Sequence, residues 1–193
     1  MPAAPLSCSR HLFWIIVGII VWCAMSLPVR SILFLCTGNS ARSILAEAIA
    51  NKLGKPRFRA YSAGSKPTGK VNPNALELLI DLGYETANLR SKSWTEFAAP
   101  GAPPLDIVIT VCDAAANETC PVWPGHPLTA HWGMRDPARM SGRAARAAFA
   151  ETYRLLETRI GALVELPFDE LEGEDLRRRL RDIGSYGLAP IAL

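Results

Sequence analysis

The sequence predicts an α/β fold: a four-stranded parallel sheet flanked by helices, with an extra helix at its C-terminal end. Three observations carry this. Short apolar runs bounded by polar turns alternate with stretches of helical periodicity, the order that builds right-handed βαβ units. Two of those runs lead directly into Cys36 and Cys112, so two thiols fall on the carboxyl edge of the sheet, where such folds bind ligands. The chain of 193 residues, 49% hydrophobic and 20% charged, is long enough for one sizeable core and too apolar to be disordered.

In chain order, residues 1–29 form an apolar N-terminal extension. Leu12 to Leu27 carries no charge; as a helix it would reach about 24 Å, short of a ~30 Å hydrocarbon core. Arg10 resembles the basic region of a signal peptide, but Trp22 and Cys23 stand where small residues should precede cleavage. Met25 opens MSLPVRSILFLC, an ordinary start for a domain. A misassigned start therefore competes with a membrane anchor and a cleaved signal, and Cys8 and Cys23 receive no role. The main domain is expected over residues 30–166 and a helical tail over 167–193.

Ser31 to Leu35 reads as a buried parallel strand ending at Cys36. After a polar turn, Arg42 to Leu53 has helical spacing, with Leu45, Ala48, Ile49 and Leu53 inward and Gly54 as its stop. Phe58 to Ala63 is a second strand closed by Gly64. Asn72-Pro73 is a cap followed by a first-turn proline, and Leu76, Leu79 and Ile80 should face inward. Residues 98–104 break the chain before a third strand, Leu105 to Val111. Leu128 to Trp132 is the fourth. Arg143 to Val164 is a long helix with Phe149, Tyr153, Leu156, Ile160 and Leu163 inward, and Phe168 to Ile183 is an amphipathic helix whose acidic start and basic end suit its dipole.

Net charge is +3, too weak a bias to point to nucleic acid. Five cysteines in a chain of this length do not describe a secreted disulfide scaffold. They suggest thiols kept for reactivity, metal binding or packing. Cys112, Cys120, His126 and His131 fit no common structural-zinc spacing. His131, beside Trp132, reads as a satisfied core residue.

The run Cys36-Thr37-Gly38-Asn39-Ser40-Ala41-Arg42-Ser43 has the form C-x5-R-S. Opening a helix after a buried strand, it can turn its backbone N–H groups around a tetrahedral oxyanion. Gly38 and Asn39 suit the left-handed backbone such a cradle needs. Arg42 offers a planar fork to two oxygens. Ser43 can hydrogen-bond the Cys36 sulfur. A helix N-terminus and loop amides around a thiol predict a depressed pKa, in the range of roughly 3.5–7.5.

The stretch SILFLCTGNSARSILAEAIA, followed by Tyr61-Ser62-Ala63-Gly64 and Val71-Asn72-Pro73-Asn74-Ala75, resembles the low-molecular-weight protein tyrosine phosphatase superfamily, and within it the thioredoxin-coupled arsenate reductases. The resemblance spans roughly Ser31 to Leu166 and makes residues 30–166 a phosphatase-like catalytic domain. It implies that Thr37 to Ser43 bind the oxyanion, Cys36 is the nucleophile, Arg42 grips the substrate and Asp136 of Asp136-Pro137-Ala138 is the general acid. Cys112 and Cys120 would complete a thiol–disulfide relay, the Asp113 to Thr119 stretch between them switching between helix and loop. Arsenate is the implied substrate and thioredoxin the electron donor, with glutaredoxin as the other candidate. No tightly bound cofactor and no nucleic acid partner are implied. Asn39, Glu47 and Ser62 match positions that bind potassium in some members, although Thr95 stands where an Asp would complete that site.

The alternatives are a tyrosine phosphatase and a non-catalytic arsenite-binding protein. Ala138 in place of an aromatic weakens the first, and Arg42 with Asp136 argues against the second. A relay needs reduced thiols, so a cytoplasmic location is expected, with membrane association only if residues 1–29 are made and retained.

Overall fold

The computed structural model describes residues 28–187 except Asn117 and Cys120. The N-terminal extension, with its anchor and misassigned-start alternatives, lies outside these residues, and so does the Cys120 position. Four strands form the sheet: β1 (Arg30–Cys36), β2 (Phe58–Gly64), β3 (Ile107–Thr110) and β4 (Leu128–His131). Their order is β2-β1-β3-β4 and every pairing is parallel. Five helices accompany them: α1 (Arg42–Leu53), α2 (Pro73–Asp81), α3 (Asp113–Ala116), α4 (Gly142–Val164) and α5 (Gly173–Ile183). Short 3-10 turns occur at Trp94–Phe97 and Pro137–Arg139. Among the described residues, no helix is long and apolar enough to cross a membrane.

The period-two alternation of β1 divides the core. Ile32 and Phe34 join α1, α4 and α5 through Ile44, Leu45, Phe149, Leu156, Leu176 and Leu180 on one face. Leu33 and Leu35 pack with Val108, Phe97, Leu105 and Trp123 on the other. Each such fully buried side chain is worth about 1.5–3 kcal/mol of transfer energy. The second face is closed by the Trp94–Phe97 turn and Trp123 in place of a long helix, an arrangement the breaker loop at 98–104 did not reveal. The C-terminal helix begins at Gly173, after the turn at Phe168. Its Leu176, Leu180 and Ile183 are buried, and the Trp132 indole N–H donates to Leu180 O at 2.8 Å.

Two inward faces differ from expectation. In α2, Ala75 and Leu79 are buried, while Leu76 is half-buried and Ile80 is 60% exposed. Nine residues packed against α4 and, more lightly, α1 offer too narrow a contact stripe for the full apolar set. The cap is as read: the Asn72 side chain accepts from the Asn74 N–H with Pro73 in the first turn. In α1, every residue from Ser43 to Ala50 is buried but Leu53 is 40% exposed. The helix is sandwiched between the sheet and α4, so it hides more than one stripe and emerges only at its end.

β1 pairs with β2 on one side and β3 on the other, so the chain leaves the sheet centre in opposite directions. The crevice at this reversal is where open α/β sheets hold ligands. The register brings Cys36 opposite Gly64, Leu35 opposite Thr110 and Thr110 opposite His131. The end of β1, at Cys36, and the segment after β3, with Cys112, therefore meet at that crevice.

Candidate active site

The loop after β1 folds back over its own cysteine. The Asn39 N–H donates to Cys36 Sγ at 3.1 Å, and Ser43 Oγ lies 2.9 Å from the same sulfur. Asn39 adopts the left-handed conformation, φ 43°; Gly38 does not share it, and its role is close packing against Thr68 Cγ2. The loop also leans on the end of β2. A Cβ on Gly64 would lie 2.5 Å from Thr37 O and 3.0 Å from Asn39 N. Only glycine permits that approach.

Cys36, Thr37, Gly38, Ser40, Ala41 and Arg42 line one wall of an open cleft, with Cys112, Met134, Arg135 and Asp136 opposite. Ser43 and Asn39 are fully buried behind it. Arg42 Nη2 pairs with Asp136 Oδ2 at 3.0 Å, and Arg42 Nη1 donates to Met134 O at 3.3 Å. Asp136 is fixed from its other oxygen, where Oδ1 accepts the Ala138 N–H that opens the 3-10 turn. Cys112 is buried behind Thr37, whose Oγ1 lies 3.6 Å from Cys112 Sγ. The structure thus gathers Cys36, Arg42, Cys112 and Asp136 around one crevice; Cys120 lies outside the described residues.

The thiol is not depressed as the sequence predicts. Burial pushes the Cys36 thiol up from its ordinary value, and the neighbouring Cys112 pushes the same way. The Ser43 and Asn39 hydrogen bonds and the Arg42 charge pull it down without reversing the direction. The reason is burial: the sulfur is almost fully enclosed beneath the loop, and removal from water outweighs its hydrogen bonds.

His131 is also not the core residue expected. It is exposed at the end of β4, with Nε2 3.0 Å from Asp113 Oδ1 and Nδ1 2.8 Å from Thr110 Oγ1. Gly133 makes room for this contact, since a Cβ there would lie 2.6 Å from Asp113 Oδ1. Asp113 begins the helix directly after Cys112. Arg159, on the buried side of α4, donates through Nη1 to Trp132 O and Gly133 O, bracing the segment that leads to Asp136. Its place one residue before Ile160 in the inward pattern was the available signal.

The oxygens suggested for potassium are already engaged. Lys92 Nζ lies 3.2 Å from Glu47 Oε2, Ser62 Oγ donates to that same oxygen, and the Asn39 Oδ1 accepts the Lys92 N–H at 2.7 Å. The residues present do not fit a potassium ion, because an ammonium stands against the carboxylate. Among the described residues, no cluster of His, Cys, Asp and Glu could hold a metal.

A buried cysteine under an amide-lined loop, an arginine fork and a facing carboxyl make up an oxyanion site with a sulfur nucleophile. The sequence matches the low molecular weight phosphotyrosine protein phosphatase family over residues 31–178, and the chain belongs to that family. An arsenate reductase of Bacillus subtilis (strain 168) is 40% identical over 113 residues, 58% of this chain and 78% of the relative. One from Halalkalibacterium halodurans is 38% identical, with the same coverage. A thioredoxin-dependent arsenate reductase of Corynebacterium glutamicum superposes with a TM-score of 0.54 at 26% identity. The match covers 70% of this chain, which spans only 60% of that protein's length. A tyrosine phosphatase of Escherichia coli K30 superposes with a TM-score of 0.58 at 23% identity, covering 71% and 97% of the two chains. At that identity the likeness is one of fold.

Proposed function

We propose that this chain is an arsenate reductase working through a Cys36–Cys112–Cys120 relay that thioredoxin regenerates. The carrying observation is that Cys112 is buried against Thr37, the residue next to Cys36. A phosphatase needs no second thiol at that position. The names of the curated relatives support the substrate, and the thioredoxin-dependent Corynebacterium neighbour supports thioredoxin as the electron donor.

Arsenate enters the loop of residues 37–43 and takes the Arg42 fork from Asp136. The Cys36 proton passes to a substrate oxygen, and the thiolate attacks arsenic. Asp136 protonates the departing oxygen, which leaves as water. Cys112 sulfur then attacks Cys36 sulfur. The S–As bond breaks with its electron pair going to arsenic, giving arsenite and a Cys36–Cys112 disulfide. Cys120 attacks Cys112 and restores Cys36 as a thiol, leaving a Cys112–Cys120 disulfide that the thioredoxin dithiol reduces. Such a disulfide needs the two Cα atoms within about 4.4–6.8 Å. Reduced thiols place the catalytic domain in a reducing compartment, the cytoplasm.

Arsenate-dependent NADPH oxidation, coupled through thioredoxin and thioredoxin reductase, tests this against p-nitrophenyl phosphate hydrolysis. Cys36→Ser should abolish both activities. Cys112→Ser and Cys120→Ser should abolish only the first. Brisk hydrolysis without arsenate turnover by any reductant would make the protein a phosphatase. Stoichiometric arsenite binding without turnover would make it a binding protein.

A further inference from the structure

Three cations, Lys66, Arg135 and Arg139, line the mouth of the cleft, and all three residues are exposed. Each is fixed to a part of the site. Lys66 lies on the segment after β2 that runs along the cradle. There the Ser65, Lys66 and Thr68 N–H groups donate in turn to Cys36 O at 3.3 Å, Thr37 O at 2.9 Å and Gly38 O at 3.0 Å. Arg135 and Arg139 come from the facing wall. One directly precedes Asp136, and the other ends the 3-10 turn that Asp136 caps.

The acidic groups beside them are engaged with other residues. Among the described residues, none of the three cations forms an ion pair. Two carboxylates line the same cleft. Asp136 is held by Arg42 at 3.0 Å, and Asp113 Oδ1 lies 3.0 Å from His131 Nε2. No aromatic ring lines the cleft among the described residues, so its mouth offers a ligand charge and nothing to stack on. Like charges around a concave site focus their field into it. Exposed cations of this kind do little for stability, and an anion in the cleft relieves their mutual repulsion.

We infer that Lys66, Arg135 and Arg139 form an outer anion-recognition rim that draws oxyanions into the cradle and ranks them by charge, a dianion ahead of a monoanion. Arg42 and the loop amides grip the ligand at the bottom of the cleft. The rim acts before that contact, through its field, and so governs capture of the ligand. The inference rests on the Cys36 loop as the oxyanion site. Its readout uses neither arsenate nor thioredoxin, so it stands or falls apart from the reductase reading.

The test compares alkylation of Cys36 by iodoacetate, an anion, and by neutral iodoacetamide, followed by mass spectrometry of the Cys36 peptide in the full chain. Both reagents consume the same thiolate, so its population cancels in the ratio of the two rates. Lys66→Gln/Arg135→Gln/Arg139→Gln should lower that ratio about fivefold at low salt, the scale expected of three unit charges across a cleft in water. Calorimetric titration with inorganic phosphate, a dianion, should show affinity weakened about 25-fold, the square of that factor. Exposed substitutions of this kind leave folding nearly unchanged. Lys55→Gln/Arg154→Gln/Arg179→Gln removes the same charge from exposed positions that do not line the cleft, and both readouts should stay at wild-type values. Either readout at its wild-type value in the rim variant would overturn the inference, as would equal losses in the two triple variants.

Discussion

Arg42 Nη2 stands 3.0 Å from Asp136 Oδ2, so the two groups assigned to the oxyanion hold each other across the cleft. An incoming oxyanion has to take the guanidinium fork from the carboxylate. The Asp136 carboxyl then faces a second anion, and a proton between them relieves the repulsion. In the proposed reaction, one exchange of partners would both bind the substrate and ready the acid.

Asp136→Asn separates the two roles. Without a carboxylate to compete, Arg42 should bind phosphate more tightly as a competitive inhibitor. Loss of the general acid should lower kcat by about 10²–10⁴-fold. An unchanged phosphate inhibition constant would mean that the pair does not compete with substrate.

The buried thiol gives a signed pH dependence. Its folded pKa is raised from the ordinary value of 9.0, so the unfolded chain loses that proton first as pH rises. The stabilising contribution is intact below the unfolded pKa, declines above it and is gone once pH passes the folded pKa. Thermal unfolding midpoints between pH 8 and 11 should fall more steeply for wild type than for Cys36→Ser. Parallel curves would show that Cys36 is not held protonated.

Gly64→Ala tests the contact between the cradle and β2. Its Cβ would lie 2.5 Å from a backbone oxygen that cannot swing aside. Forced overpacking of this kind costs about 1–3 kcal/mol. Displacing Thr37 and Asn39 should depress arsenate and p-nitrophenyl phosphate turnover together. Retained activity with both substrates would show that the loop tolerates the shift.

Gly133→Ala drives a Cβ between His131 and Asp113. Backbone amide exchange at residues 113–116 should speed up on hydrogen–deuterium mass spectrometry while the rest of the sheet keeps its protection. Equal exchange in the two proteins would show that the His131 contact does not steady the segment beside Cys112.

The strands, the long helices and the C-x5-R-S loop were legible because each is a local pattern. An apolar run makes a buried strand, a three-and-four spacing makes a helix face, and a short loop between them makes an anion cradle. The Ser43 contact with Cys36 spans only seven residues and followed from the same loop. His131 was misread because its partners, Thr110 and Asp113, come from another strand and the short helix beyond it. The Ile80 and Leu53 errors have a similar origin: a helical stripe shows which residues could be inward, and only the neighbouring elements decide how wide the buried face is.

The sequence by itself determined the order of strands and helices along the chain and singled out the candidate nucleophile, its loop and the candidate acid, since these depend on residues close in the chain. Only the tertiary structure decided the electrostatics around them. It turned Arg42 onto Asp136, raised the Cys36 thiol by burial, and set Lys92 against Glu47, 45 residues away. Such interactions depend on distance, burial and competing partners, and none of the three exists until the sheet has brought its loops to one edge.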